Sequence, residues 1–149
     1  LRTKAEVLYG REPFAMLIID HVGLMSARTR HKDTTENLNE VIRDLKKMAM
    51  GFNRGRGMAV VGLCQISREG HKAATKRQER TGVPGYDLTH LSYANELERS
   101  GDVITATWLD PDLSSRNRIQ FQCMKSRDQA PFTPHMLAQH HQPCPRDRL

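Results

Sequence analysis

The sequence predicts an α/β fold, with a mainly parallel sheet flanked by helices and an antiparallel hairpin toward the C-terminus. Two apolar runs, residues 15–19 and 57–65, have the length and β-branched content of strands that are buried on both faces, as in parallel sheets. A stretch with helical apolar spacing separates them, so the three segments form a strand–helix–strand unit. Residues 118–124 instead alternate between two faces, one of which carries two glutamines, and this is typical of a half-exposed antiparallel strand.

The helices are predicted from apolar spacing and from their end signals. Residues 2–10 are compatible with the end of a helix that Gly10 terminates. The helix between the two parallel strands begins at the capping residue Asp33 and ends at Gly51. Its apolar residues recur at helical spacing: Leu38, Val41, Ile42, Leu45, Met48 and Ala49.

The second half of the chain begins with a predicted loop. Residues 66–90 have no apolar period, and their first half is markedly basic, so we expect a long loop there. The elements predicted after it are a short helix at 92–101, a strand at 102–109, the alternating strand at 118–124, one more possible strand at 132–139, and a frayed tail at 139–149.

Composition limits the class of protein and its partners. Lys and Arg number 23 against 17 Asp and Glu, and the net charge of +6 favours an anionic partner. Three scattered cysteines argue against a disulfide framework and for a reducing, cytoplasmic location. Apolar runs of no more than strand length predict no membrane span and no membrane partner. A length of 149 residues predicts a single domain, residues 1–149.

Two polar residues follow the predicted parallel strands. Asp20 ends the first strand, and ligands of open α/β sheets bind at the carboxyl ends of strands. An acid at this position is the Walker B pattern, in which the carboxylate reaches Mg²⁺; the alternative is a helix or turn cap. Gln65 follows the second strand, and its amide can hold a water or sense a γ-phosphate because it both donates and accepts hydrogen bonds. The alternative for Gln65 is a solvent-facing strand end.

Two cations close the alternating strand. Lys125 and Arg127 are two residues apart, and they project to the same side if the strand continues through them. Two cations there would make a phosphate site, in which a guanidinium can stabilise the charge of a transferring phosphoryl group. A solvated strand end is the alternative.

Together these motifs resemble the RecA-like core of DnaB-type replicative helicases, a P-loop NTPase fold, over roughly residues 2 to 130. "LIIDHVGLM" resembles the Walker B strand of that family, and "LCQISRE" is similar to its glutamine motif. "ANELERSGDVI" resembles the short acidic helix and following strand, and "KSR" is similar to the paired lysine and arginine finger. The chain is thus identified as the C-terminal part of a RecA-like helicase motor domain.

The resemblance implies roles for these residues, with ATP and Mg²⁺ as cofactors. Asp20 would bind Mg²⁺, Gln65 would couple the γ-phosphate to DNA-facing loops, and Lys125 with Arg127 would reach the nucleotide of a neighbouring subunit in a hexameric ring around single-stranded DNA. Two basic loops, 26–32 and 67–80, would face the channel, although a solvated surface is the alternative. The DNA-binding candidates are Arg28, Arg30, Lys32, Arg68, Lys72, Lys76, Arg77 and Arg80.

One motif of the family is missing from the sequence. No G-x-x-x-x-G-K-[ST] phosphate loop occurs, and the nearest glycine cluster, "GFNRGRG", lacks the lysine and hydroxyl. We therefore expect the phosphate loop and the catalytic glutamate upstream of Leu1, and the chain alone to be inactive. The predicted function is part of an ATP-dependent helicase that translocates on single-stranded DNA and unwinds duplex. The alternatives are a non-catalytic DNA-binding ring subunit and a recombinase or clock-type ATPase of the same fold.

Overall fold

A computed structural model of the chain describes residues 1–27, 29, 33–91, 94–128, 130 and 135–138, so the predicted tail at 139–149 lies outside the described residues. The chain divides into two compact units: Leu1–Ala73 with Asp87–Gly101, and Ala74–Tyr86 with Asp102–Leu149. The helices are α1 (Arg2–Arg11), α2 (Thr34–Gly55), α3 (Arg68–Thr81), α4 (Ala94–Ser100) and α5 (Pro111–Ser115). The strands are β1 (Met16–Ile19), β2 (Ala59–Gly62), β3 (Val103–Trp108), β4 (Arg118–Ser126) and β5 (His135–Ala138), and 3₁₀ turns span Val22–Leu24 and Leu88–His90.

The parallel pair of the first unit is confirmed, but its predicted burial is wrong. β1 and β2 pair in parallel, from Met16 opposite Ala59 to Ile19 opposite Gly62. Leu17 and Ile19 contact the two apolar clusters that α2 forms, whereas Ile18 on the other face is 62% exposed. Among the described residues of this unit, the clusters cover one face of the sheet only, and alternate side chains of each strand therefore remain exposed.

Helix α2 supplies the core of the first unit. It begins at Asp33, whose carboxylate accepts the Thr35 N–H at 3.0 Å. Helical backbone angles stop at Phe52, with ψ 152°, directly after the predicted end at Gly51. Helix α1, in contrast, does not end at Gly10, because that glycine does not adopt a left-handed conformation and the helix continues to Arg11. The buried residues of α2 are Leu38, Val41, Ile42, Met48 and Phe52.

The second unit contains an antiparallel sheet in the order β3–β4–β5. β3 and β4 form the predicted hairpin, which runs from Val103 opposite Ser126 to Trp108 opposite Gln120. Its linker holds the short helix α5. The register shifts between Ile104 and Thr105, because an irregularity interrupts the ladder there.

The glutamine face of β4 is covered rather than exposed. Gln120 is only 7% exposed, and its Nε2 donates to the Pro84 carbonyl at 3.3 Å. Gln122 makes two hydrogen bonds to one residue: Oε1 accepts the Tyr86 N–H at 2.8 Å and Nε2 donates to the Tyr86 carbonyl at 2.8 Å. We call these two bonds the amide clamp. The polar face therefore packs on backbone, whose hydrogen-bonding groups it satisfies.

The predicted loop at 66–90 is wrong, because α3 and a 3₁₀ turn occupy most of it. The sequence of α3, REGHKAATKRQERT, is rich in strong helix formers but has no large apolar side chain, so it has no apolar period. The Ser67 hydroxyl accepts the Gly70 N–H at 3.0 Å, and Asp87 begins the 3₁₀ turn in the same way by accepting from Thr89 N–H. Propensity and capping, rather than an apolar stripe, make this helix.

Candidate functional site

Asp20 and Gln65 lie at the carboxyl edge of the parallel pair. Backbone pairing continues beyond the strands, since Leu63 N–H donates to the Ile19 carbonyl at 3.0 Å and Val22 N–H donates to the Leu63 carbonyl at 2.9 Å. Asp20 therefore lies between the two residues that bond to Leu63, and Gln65 follows two positions later. Both side chains are exposed. The structure thus brings these two sequence-predicted residues to one edge of the sheet.

Close packing behind Asp20 holds this edge. The buried Val22 approaches β2 so closely that a Cβ added at Gly62 would lie 2.8 Å from a Val22 methyl carbon. His21 Nδ1 accepts the Gly23 N–H at 3.2 Å and closes the turn. His21 was not among the residues predicted from the sequence, although an imidazole directly beside the candidate carboxylate was an available signal.

The setting of Asp20 fits a magnesium ion. Mg²⁺ keeps several waters and is bound through one or two carboxylates together with substrate phosphates, rather than by an all-protein cage. Asp20 offers one exposed carboxylate, and the described part of the chain contains no cluster of three or more His, Cys, Asp or Glu.

A cavity of about 310 Å³ in the first unit is lined by α1, α2 and residues 25–27 and includes neither Asp20 nor Gln65.

The chain that follows Gln65 is anchored to the second 3₁₀ turn. Ile66 forms an antiparallel bridge with Leu91. Ser67 donates to the His90 carbonyl twice, from its hydroxyl at 3.0 Å and from its N–H at 3.2 Å. A Cβ added at Gly70 would lie 2.5 Å from His90 Cβ. The N-terminal end of α3 is therefore fixed in place directly after Gln65.

Lys125 and Arg127 belong to the second unit. Lys125 lies opposite Ile104 in the β3–β4 ladder. β4 ends at Ser126, so Arg127 is one residue beyond the strand, and strand alternation does not set its direction. Its Nε lies 3.2 Å from Asp102 Oδ1, and its N–H donates to the Asp102 carbonyl at 2.9 Å. Asp102 was not among the residues predicted from the sequence, because its approach to Arg127 depends on the hairpin register.

The basic residues of the predicted second loop lie on α3. Four of them occur at every fourth position, and this spacing places them along one side of a helix at intervals of about 6 Å. All four are exposed, and we call them the basic stripe: Arg68, Lys72, Lys76 and Arg80. Arg77 lies elsewhere, since its guanidinium packs on Gly85, where an added Cβ would lie 2.8 Å from Arg77 Cζ.

The other DNA-binding candidates, Arg28, Arg30 and Lys32, lie outside the described residues. The chain just before them is fixed to α2. Ala27 N–H donates to Asn37 Oδ1 at 2.8 Å, and Asn37 Nδ2 donates to the Met25 carbonyl at 3.2 Å. The predicted loop at 26–32 thus begins at a position that Asn37 defines.

Asp110 joins the C-terminal half of α3 to the hairpin of the second unit. Its carboxylate accepts the Leu113 N–H at 2.8 Å, Gln78 Nε2 at 2.7 Å and Trp108 Nε1 at 3.2 Å. These hydrogen bonds, with that of Leu113 first and that of Gln78 second, lower the pKa of Asp110 because they favour the ionised form. Asp110 is therefore a charged link between helix and sheet.

The sequence matches a known protein family, and the fold is similar to solved structures. The model of the DnaB-like helicase C-terminal domain family matches residues 1–130. A structure of a DnaB-like replicative helicase, described with its interactions with primase, is similar over 92% of this chain and 31% of its own, with 23% identity and a TM-score of 0.71. A second solved structure, described as an ATPase domain, is similar over 92% of this chain and 46% of its own, with 24% identity and a TM-score of 0.71. No curated protein sequence matches.

These similarities confirm the predicted RecA-like α/β fold, with its parallel pair and antiparallel hairpin. The chain spans less than half the length of either similar structure. Within the described residues, no helix is long and apolar enough to cross a membrane.

Proposed function

The chain belongs to the family of DnaB-like helicase C-terminal domains, and on that premise we propose that it is part of an ATP-dependent replicative helicase that translocates on single-stranded DNA and unwinds duplex. One observation carries the proposal: Asp20 directly follows β1 and Gln65 follows β2 by three residues, at the carboxyl edge of one parallel strand pair. That edge is where open α/β folds bind their ligands. An acid and an amide there suit a nucleotide with its metal ion.

The two residues have complementary tasks in this proposal. Asp20 holds Mg²⁺, which when bound neutralises the charge of the nucleotide phosphates. Gln65 orients a water or contacts the γ-phosphate, because its amide donates and accepts at the same time. Its backbone continues into Ile66 and Ser67, which bond to Leu91 and His90. A displacement of Gln65 therefore acts on the start of α3.

Nucleotide hydrolysis in this proposal is shared between subunits of a hexameric ring. Lys125 and Arg127 lie at the end of β4, and the Arg127 side chain is 47% exposed. A guanidinium at a subunit boundary can reach the γ-phosphate of the neighbour, where charge develops during transfer. Arg127 is the candidate trans finger, and Lys125 assists as a point charge.

The basic stripe is the proposed DNA contact of α3. Its four exposed cations lie along one side of a helix that contains no Phe, Tyr or Trp for stacking on bases. Such a surface binds backbone phosphates through charge, independently of base sequence. It therefore fits a protein that moves along single-stranded DNA of any sequence.

The proposal is tested in the full-length protein that carries this chain. Asp20→Asn keeps the shape of the side chain but removes its charge, so ATP hydrolysis and strand displacement should both fall at least about a hundredfold. Asp44→Asn is the matched control, since Asp44 lies on α2 and contacts Lys47 rather than the sheet edge. Hydrolysis is measured by phosphate release, and unwinding is measured with a forked duplex.

Three results would contradict the proposal in different ways. Unwinding at the original rate by the Asp20→Asn variant would remove the nucleotide site from this edge. DNA binding without any ATP turnover by the unaltered full-length protein would favour a non-catalytic ring subunit. ATP-dependent strand exchange without unwinding would favour a recombinase.

A further inference from the structure

Asp102 makes two contacts with Arg127 at the open end of the β3–β4 hairpin. Its carbonyl accepts the Arg127 N–H at 2.9 Å, and its Oδ1 lies 3.2 Å from Arg127 Nε. The first contact fixes the backbone just beyond β4, and the second fixes the inner nitrogen of the guanidinium. Arg127 is thus held at two points by one residue.

This ion pair is a poor candidate for a structural role. The two side chains are 47% and 57% exposed, and half-exposed ion pairs contribute little to folding. The hairpin is already held by six registered residue pairs between Val103 and Trp108. The carboxylate therefore changes the direction of the Arg127 side chain more than the stability of the sheet.

The planar guanidinium of arginine means that a contact at Nε orients the whole group. All three guanidinium nitrogens lie in one plane, so a carboxylate that fixes Nε also restricts the orientation of the two terminal nitrogens. A reacting group gains rate when it is oriented before the reaction, and small misplacements are costly. Strand alternation cannot supply this orientation, because Arg127 lies outside β4.

We propose that Asp102 is a positioning residue, which holds the Arg127 guanidinium in the direction it needs to reach the nucleotide of a neighbouring subunit. This inference rests on the proposed function of Arg127 as a trans finger. It adds a residue that the finger motif itself does not contain.

The test is Asp102→Asn in the full-length ring. We expect kcat for ATP to fall about tenfold, because a misdirected finger stabilises less transition-state charge. The KM for ATP, ring assembly and the thermal midpoint should not change. The matched control is Asp112→Asn, since Asp112 pairs with Arg116 at 2.9 Å in the same unit, at similar exposure and away from the finger.

A double-mutant cycle separates this inference from the function it rests on. With Arg127→Ala in place, Asp102→Asn should have no further effect on kcat. If Arg127→Ala slows turnover but Asp102→Asn does not, or accelerates it, the positioning role is wrong while the finger stands. If Arg127→Ala leaves turnover unchanged, the finger itself is wrong.

Discussion

Helices α2 and α3 differ in what keeps them in place. α2 buries five apolar side chains, among them Phe52 and Leu38, which are each 1% exposed. The buried residues of α3 are Gly70 and Ala74, neither of which adds a large apolar side chain. α2 is therefore stabilised by burial, and α3 by helix propensity together with a few specific contacts. The proposed DNA contact therefore lies on a helix that adds no large apolar side chain to the core.

The specific contacts of α3 lie near its two ends. At the start, Ser67 and Gly70 meet His90, and in the last turns Gln78 donates to Asp110. Between these points the helix can display charge, since substitutions of its exposed residues remove no buried group. The contrast between the helices predicts effects of very different size.

The largest effect is expected in α2, from Phe52→Ala. The Phe52 ring packs edge-on against Tyr9, at a centroid distance of 5.3 Å, and its truncation leaves a cavity that the surrounding rings cannot fill. We expect a loss of about 3 to 5 kcal/mol in the free energy of unfolding, measured by urea denaturation. Met50→Ala, on the exposed side of α2, is the control. Equal losses for the two variants would show that α2 is not held by burial.

Gly70→Ala is expected to destabilise α3 although alanine is the better helix former. The new methyl group would meet His90 Cβ at 2.5 Å and the His90 carbonyl oxygen at 2.9 Å. Overpacking of this kind costs about 1 to 3 kcal/mol, measured as a lower urea midpoint. Gly51→Ala is the matched control, because its added Cβ would meet no heavy atom within 4 Å outside its neighbouring residues and the backbone of its own helix. A Gly70→Ala protein as stable as the original would mean that α3 and the turn at His90 are not in contact.

Asp110→Asn tests the link in the last turns of α3 through pH. The folded-state pKa of Asp110 lies below its ordinary value of 3.8, so its hydrogen bonds add stability above that pH, and this stability is lost as the pH falls through the folded pKa. We expect the original protein to lose more stability between pH 5 and pH 3 than the Asp110→Asn variant, by about 0.5 kcal/mol, because solvent screens a partly exposed carboxylate. The comparison uses urea midpoints at the two pH values. Parallel losses in both proteins would exclude Asp110 as the source.

The smallest effect on stability is expected from the basic stripe. Lys72→Glu with Lys76→Glu should change the free energy of unfolding by less than about 0.5 kcal/mol, because both side chains are exposed. The same variant should lower the slope of log K against log salt for single-stranded DNA by about 1.4, or about 0.7 for each lost phosphate contact. Lys47→Glu, on the exposed side of α2, is the control. An unchanged slope would remove α3 from the DNA-binding proposal.

The same contrast explains which elements the sequence predicts. α2 is predictable because burial imposes an apolar period, and β1 and β2 are predictable because they are apolar runs. α3 has no apolar period, yet basic residues at every fourth position from Arg68 to Arg80 were a usable helical signal. Burial of the strands was overestimated, since hydrophobicity alone does not reveal that only one face of the pair is covered.

Some residues of the candidate site can also be predicted from local sequence patterns, whereas others depend on tertiary structure. The positions of Asp20 and Gln65 follow from strand ends, and strand ends can be read from an apolar run that stops. The approach of Asp102 to Arg127 depends on a hairpin register with a shift between Ile104 and Thr105, which no local pattern reveals. The packing of the Arg77 guanidinium on Gly85 likewise depends on tertiary structure, and the local sequence does not predict it.

The amide clamp of Gln122 has a consequence for hydrogen exchange. Tyr86 lies outside every strand, so its amide would ordinarily exchange with solvent as fast as that of an open loop. Its N–H is instead bonded to a side chain, at 2.8 Å, and its ring lies 5.7 Å from Trp108. Deuterium uptake at this one amide therefore reports the opening of a side-chain contact, separately from the fraying of the β3–β4 ladder. Exchange at the Tyr86 amide that is faster than exchange in the β3–β4 ladder would show that the segment at 84–86 detaches while the sheet remains paired.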